Sequence, residues 1–147
     1  MSTRLFTTRT HGVLDYLTAG ALIALPRALG WGRGTTRLLT AAGLGSLAYS
    51  LLTRYELGLF KVLPMRAHLA LDIASGATLM AAPLFLADES TDTAALVMGL
   101  GMFEIAAALT TEPWPDYDPD GAAITRADVE ALGRSAREVM RGGAVGG

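Results

Sequence analysis

Cysteine is absent from this chain of 147 residues. Its absence excludes disulfides, thiolate metal sites, cysteine nucleophiles and iron–sulfur clusters together. Charge is scarce as well: Asp, Glu, Lys and Arg make up 18% of the residues, whereas a typical soluble domain has about a quarter. The formal net charge of −2 gives no support to a nucleic-acid partner.

Long apolar runs take the place of the missing charge. Hydrophobic residues are 51% of the chain, and the mean hydropathy is +0.37. Four apolar segments alternate with charged connectors, and they span roughly Gly12 to Trp31, Leu38 to Thr53, Leu69 to Ala87 and Thr93 to Thr111. Each segment approaches the ~20 residues that a helix needs to cross a bilayer, and β-branched runs typical of strands are missing.

This pattern predicts an all-α integral membrane protein with four spans. A soluble four-helix bundle is the alternative, but each of its helices would need a polar face, and the second segment offers only Thr, Ser and Tyr. We expect residues 1–112 to form a transmembrane four-helix bundle and residues 113–147 to form a cytoplasmic tail. The lipid bilayer is the expected partner, and a homodimer or a larger membrane complex is compatible with it.

The distribution of Lys and Arg predicts the orientation. In a four-span chain the amino end, the connector between spans two and three, and the tail lie on one side. That side holds Arg4, Arg9, Arg54, Lys61, Arg66, Arg126, Arg134, Arg137 and Arg141, and the other holds Arg27, Arg33 and Arg37. Because positive charge accumulates on the cytoplasmic side, we expect a multi-pass protein of the inner (cytoplasmic) membrane with both termini in the cytoplasm.

The two halves of the chain repeat the same polar residues. The pairs separated by 57 positions are His11 and His68, Asp15 and Asp72, and Pro26 and Pro83. In the second helix of each half, GLGSLAYSLLTRYE (Gly43 to Glu56) aligns with GLGMFEIAAALTTE (Gly99 to Glu112) at a spacing of 56. The sequence therefore predicts a tandem duplication of a helical hairpin, with repeats at about 10–56 and 67–112. In this alignment Glu104 corresponds to Ala48.

The repeated polar side chains are expected to meet at the cytoplasmic end of the bundle. Positions i and i+4 share a helix face, so each His should contact the Asp that follows it. Acids inside a membrane normally face the bundle interior and mark functional sites. The candidate metal ligands are His11, Asp15, Glu56, His68, Asp72, Glu104 and Glu112.

Several roles suit this set of residues. Two imidazoles with several carboxylates resemble a transition-metal site, while His11 and His68 on parallel helices also suit the axial positions of a haem b. A small transporter, a proton-coupled carrier or a membrane enzyme is the alternative, with Asp15, Asp72 and Glu104 on the path. A structural role, in which each Asp stabilises a helix amino end, is the third. The sequence favours an accessory membrane protein with a pseudo-symmetric His/Asp/Glu polar site at its cytoplasmic end, a site that could hold a metal or a haem, and it leaves enzymatic activity open.

The tail is expected to carry one amphipathic helix. Thr125-Arg-Ala-Asp128 resembles a capping box with Asp in place of Glu, and it begins a helix over about 126–141. One side of that helix is apolar and has basic flanks; it consists of Val129, Leu132, Ala136, Val139 and Met140. Such a helix either lies on the anionic inner leaflet or docks beneath the bundle.

The duplicated hairpin, in which Gly and then Pro lead each first helix into a short turn, resembles the small bacterial four-span proteins of the SPW-repeat and DoxX-like kinds. The resemblance covers Thr10 to Glu112. The SPW signature itself is missing, since this chain has ALPRALGW (Ala24 to Trp31) and AAPLFLAD (Ala81 to Asp88) instead. The resemblance implies the four-span topology, and no functional residue carries over from it.

Overall fold

A computed structural model describes residues 4–86, 89–115 and 124–143 of the chain. Its helices are α1 (Thr8–Ala28), α2 (Arg33–Leu52), α3 (Met65–Ala81), α4 (Thr91–Thr110) and α5 (Arg126–Gly143). A 3₁₀ turn, Ala82–Leu84, extends α3. In this part of the chain there is no β-strand, only two isolated bridges, so the expected all-α class is confirmed.

The helix starts follow local capping signals. The Thr7 side chain caps α1, and the Ser90 side chain caps α4 with an acidic Asp92 in the first turn. At the start of α5 the backbone N–H of Thr125 donates to Asp128 Oδ2 over 2.9 Å, and the N–H of Asp128 donates back to the Thr125 hydroxyl over 3.4 Å. This reciprocal pair is the expected capping box.

The first four helices pack as two neighbouring pairs, α1 with α2 and α3 with α4. At one end an apolar core joins all four; its buried members are Leu22, Leu39, Leu79, Ala82 and Val97. At the other end, the ends of α2 and α4 lie beside the starts of α3 and α1. Thr111, the residue after α4, forms a β-bridge with Phe6, just before α1. Thr53, the residue after α2, forms a β-bridge with Leu63, just before α3. The candidate site lies at this second end.

The outside of the helices is apolar and part of the inside is polar. Leu17, Leu44, Leu96 and Met102 are each more than half exposed, whereas the buried set includes His, Asp and Glu side chains. Two helical segments, Met65–Leu84 and Thr91–Thr110, are long and apolar enough to cross a membrane. Helices α1 and α2 do not reach that apolarity: α1 contains His11, Asp15 and Arg27, and α2 contains Arg33 and Arg37.

Gly43 of α2 and Gly101 of α4 make matching contacts, 58 residues apart. A Cβ added at Gly43 would lie 2.8 Å from the carbonyl oxygen of Ala19, and one added at Gly101 would overlap the carbonyl oxygen of Gly76. Gly99, which the sequence aligns with Gly43, has open space around it. At the spacing of 58, Glu104 aligns with Ser46.

Candidate metal centre

Four polar residues of α1 and α3 converge near the first turns of these helices. They are His11, Asp15, His68 and Asp72, and one ligand atom from each lies within 4.8 Å of the others. Both histidines are at most 1% exposed, and both aspartates are at most 8% exposed. Because both helices begin at the same end of the molecule, the two i, i+4 pairs stand side by side and form one group, called the His/Asp cluster below.

The histidines contact the aspartates both within and between helices. His11 Nε2 lies 3.2 Å from Asp15 Oδ1 and 2.9 Å from Asp72 Oδ2. His68 Nε2 lies 2.9 Å from Asp15 Oδ2 and 3.3 Å from Asp72 Oδ2. The expected pairing along each helix is present, and the shorter contacts run between α1 and α3. Both Nε2 atoms therefore point into the same space between the two carboxylates.

A threonine at the end of a neighbouring helix contacts the other nitrogen of each imidazole. The Thr111 hydroxyl lies 2.8 Å from His11 Nδ1, and the Thr53 hydroxyl lies 2.8 Å from His68 Nδ1. Each hydroxyl also lies 2.6 Å from a backbone carbonyl oxygen one helical turn earlier, and donates to it. A hydroxyl has a single hydrogen, so it must accept from the imidazole. Each Nδ1 therefore carries a proton.

This assignment decides what the Nε2 atoms can do. A neutral imidazole protonated at Nδ1 has a lone pair at Nε2, and here that lone pair faces carboxylate oxygens. Such an arrangement is repulsive unless a proton or a cation lies between the groups. The two histidines differ in this respect. His11 Nε2 is in hydrogen-bond geometry with Asp72 Oδ2 over 2.9 Å, whereas His68 Nε2 makes no hydrogen bond, although Asp15 Oδ2 is 2.9 Å away. Protons on the Nε2 atoms or a cation between the four groups would each remove the repulsion.

Residues of α2 and its connector support the His/Asp cluster. The Tyr49 hydroxyl donates to Asp72 Oδ1 over 2.6 Å, which fixes that carboxylate. The Tyr55 ring lies against the imidazole of His68, with ring centroids 5.8 Å apart, and closes the end of the site. Burial, and then the nearby charge of Asp15, raise the pKa of the Tyr55 phenol, so it stays neutral.

Glu104 lies beside the His/Asp cluster, toward the middle of α4. It shares a small cavity with His11, Asp15 and Asp72, and it is 8% exposed. Neither carboxylate oxygen has a hydrogen-bond partner, and the nearby Ser75 hydroxyl does not form a bond of good geometry. A buried carboxyl group without a partner is costly, so this one needs an explanation beyond packing.

The structure does not bring the two remaining candidates into the His/Asp cluster. Glu56 accepts a hydrogen bond of 2.7 Å from the Thr8 hydroxyl, and Glu112 forms a 3.3 Å salt bridge with Arg126. Glu56 comes four residues after the end of α2, and Glu112 comes two residues after the end of α4, where the chain has left the helix axis. Their side chains therefore point elsewhere, although they are near the cluster in sequence.

None of the residues that support the His/Asp cluster was predicted from the sequence. Thr53 and Thr111 occupy the same place after α2 and α4, in the short motifs LLT and LTT. The repeated threonine could have indicated a partner for each histidine, because a hydroxyl at the end of one helix can contact an imidazole at the start of its neighbour. Tyr49 and Tyr55 gave no such signal, since neither has a tyrosine counterpart in the second half.

Comparison of the chain with family models, with curated proteins and with solved structures finds no match.

Proposed function

We propose that this protein is a four-span membrane protein that binds one divalent transition-metal ion in the His/Asp cluster. The observation that carries the proposal is the orientation of the two histidines: each Nδ1 donates to a threonine, and each Nε2 faces the carboxylates of Asp15 and Asp72, so a neutral imidazole would direct its Nε2 lone pair at the centre of the cluster. Metal-binding histidines commonly donate their second ring N–H to a fixed acceptor in this way.

The donor set favours a first-row transition metal. Two imidazole nitrogens and two carboxylates suit Zn²⁺, Fe²⁺ or Mn²⁺, and the lack of sulfur ligands disfavours softer ions. A haem suits the geometry less well. The carboxylates of Asp15 and Asp72 lie between the imidazoles, at 2.9 to 3.3 Å from both Nε2 atoms, where a porphyrin would have to pass.

Charge balance is compatible with the same proposal. Two neutral imidazoles, two ionised aspartates and one divalent cation together have no net charge. Two protonated imidazoles with two aspartates would also be neutral, so the ion would replace two protons without a change in total charge. A neutral cluster matters here because an unbalanced charge in a buried site costs several kcal/mol.

The membrane assignment rests on where the apolar and polar side chains lie: many large apolar side chains are exposed, and several polar ones are buried, the reverse of a water-soluble bundle. In the most apolar stretch of each candidate span only 33% of the residues are buried, whereas the core helix of a soluble protein would be mostly buried. Exposed Leu, Met and Phe on all sides suit lipid and would be a liability in water. Helices α1 and α2 have 21 and 20 residues, enough for about 30 Å at 1.5 Å per residue.

The proposal includes the tandem duplication and the orientation with both termini in the cytoplasm. Equivalent contacts support the duplication: a threonine on each imidazole, and a glycine of the second helix against the first helix of each pair. The register of the repeats is then 57 for the first helices and 58 for the second. A four-span topology of the SPW-repeat and DoxX-like kinds is compatible with this arrangement.

The threonines provide the test of the metal site. We expect Thr53→Val and Thr111→Val each to lower the affinity for Zn²⁺ or Co²⁺ by roughly 10- to 100-fold, because the imidazole loses the acceptor that fixes its orientation. Titration of metal-free protein in detergent, followed by calorimetry and by the visible spectrum of Co²⁺, measures this.

Thr110→Val is the matched control, because the Thr110 hydroxyl bonds only to carbonyl oxygens of its own helix. Its affinity should equal that of the parent. Equal affinity for all three variants and the parent would contradict the role of the threonines, and a parent that binds no metal would contradict the proposal as a whole.

Glu104 favours a second candidate function, a small cation transporter. Its buried carboxylate has no partner, and it lies in the same cavity as the His/Asp cluster. An ion leaving the cluster toward the membrane interior would meet this carboxylate next. The accessory metal site and the transporter use the same residues, and they differ in whether the ion moves.

Glu104→Gln separates the two functions. For a transporter we expect at least a tenfold loss of Zn²⁺ or Mn²⁺ uptake into proteoliposomes, with the ion bound per chain unchanged. Glu138→Gln, in the exposed part of α5, is the control and should transport as the parent does. Uptake no faster than in protein-free liposomes for every variant would leave the static metal site as the function.

A further inference from the structure

Helix α5 has an apolar face that no part of the described chain covers. Leu132, Val139 and Met140 are 67%, 75% and 68% exposed, respectively. Together with Val129 and Ala136 they lie within about one third of the helix circumference at 3.6 residues per turn. The expectation that α5 docks beneath the bundle is therefore not met. An apolar face of this size is expected to pack against a surface outside the described chain.

The start of α5 is fixed at the end of the bundle that holds the His/Asp cluster. The backbone N–H of Arg126 donates to the Pro115 carbonyl over 2.9 Å, and its guanidinium pairs with Glu112. Trp114 lies beside this point, with the guanidinium carbon of Arg66 4.0 Å from its ring centre. Tryptophan and arginine are typical of the headgroup level of a bilayer. In the proposed four-span topology α5 thus begins at the membrane surface.

The polar side of α5 is mainly basic. Arg134, Arg137 and Arg141 lie on one side of α5, together with the Arg126 that fixes its start. The acids Asp128 and Glu130 are in the first two turns, where Asp128 is engaged by Thr125 and Glu130 by Arg126. The second half of the helix, with three arginines and the single acid Glu138, therefore has a net positive charge on the side away from the exposed leucine, valine and methionine.

We propose that α5 lies in the plane of the cytoplasmic leaflet, with its apolar face in the acyl boundary and its arginines on anionic phospholipid headgroups. This inference rests on the membrane topology proposed above and is independent of the metal. An amphipathic helix with a basic side and a fixed start at headgroup level has the chemistry of an interfacial helix. It would also keep the tail beside the end of the His/Asp cluster.

The lack of native cysteine allows a direct test with single labels. Full-length protein with Leu132→Cys or Val139→Cys carries a polarity-sensitive fluorophore and is placed in nanodiscs with or without phosphatidylglycerol. Ala131→Cys, adjacent in sequence but on the polar side, is the matched control. We expect blue-shifted emission and quenching by lipid-borne quenchers at 132 and 139 in anionic nanodiscs, and aqueous emission at 131.

A charge variant tests the electrostatic part. Arg134→Gln, Arg137→Gln and Arg141→Gln should each reduce the ratio of embedded to free helix about fivefold in anionic nanodiscs. Glu138→Gln should not reduce it. Aqueous emission at 132 and 139 in anionic lipid overturns the inference. So does blue-shifted emission at these labels without quenching by the lipid-borne quenchers, which would indicate contact with protein, including a second copy of the chain. Failure of the chain to enter nanodiscs would instead contradict the membrane topology.

Discussion

His11→Ala combined with His68→Ala is expected to abolish metal binding. The double variant removes both nitrogen ligands, and the two aspartates that remain hold a transition-metal ion far more weakly than the full set. We expect the ratio of metal to chain to fall from about one to below about a tenth after purification without chelators. Elemental analysis of the detergent-purified protein measures the ratio.

Loss of the histidines also leaves two buried carboxylates without their imidazole partners, so the double variant is expected to be less stable. A second variant that adds Asp15→Asn and Asp72→Asn removes these charges and keeps the cluster neutral. It should be monodisperse, and it should also be free of metal. If the four-residue variant still copurifies with about one ion per chain, the His/Asp cluster is not the metal site.

Glu56→Gln and Glu112→Gln are the informative controls for this experiment. The sequence nominates both acids as ligands, whereas the structure places them on Thr8 and Arg126. Both variants should keep the metal content of the parent. A loss of metal in either one would show that the ligand set is larger than the four residues of the cluster.

The largest effect on stability is expected for Gly101→Val. A Cβ at this position would overlap the Gly76 carbonyl oxygen and lie 2.9 Å from the Met80 backbone nitrogen. Because the obstacle is the backbone of α3, no side-chain rotation relieves it, and the two helices must separate. Overpacking of this kind costs about 3 kcal/mol or more. We expect a large fall in the melting temperature in detergent and a poor yield of monodisperse protein.

Gly99→Val provides the matched control. It makes the same change in helix propensity two residues away on α4, but at a position with open space around it. Its melting temperature should lie within a few degrees of that of the parent. Equal destabilisation by the two variants would contradict the close approach of α3 and α4, and with it the 58-residue register.

The number and approximate positions of the helices could be predicted from the residue pattern. Long apolar runs bounded by Arg, Gly and Pro indicated helices, and the observed elements agree with them. Each His lies four residues before an Asp, and this spacing placed both pairs on single helix faces. The glycine contacts match α2 to α4 at a spacing of 58, whereas the sequence predicts 56. Leu, Ala and Gly recur so often that apolar helices align at several spacings.

The details of the site depend on tertiary packing and could not be read from spacing. The shorter contacts join His11 to Asp72 and His68 to Asp15, across α1 and α3, which no local rule predicts. Residues beyond a helix end have no fixed direction, so Glu56 and Glu112 could not be separated from true neighbours of the cluster. The threonines became visible only once the end of one helix was known to meet the start of another.

The metal content of the parent protein tests the central claim most directly. Full-length protein is purified from membranes in detergent without chelators, analysed for metals, stripped, and offered Mn²⁺, Fe²⁺, Co²⁺ and Zn²⁺ in turn. The His/Asp cluster predicts about one tightly held ion per chain, with nitrogen and oxygen ligands in the X-ray absorption spectrum of the loaded protein. A folded protein that contains no ion and takes up none would contradict the claim, and the cluster would then be a set of buried ion pairs.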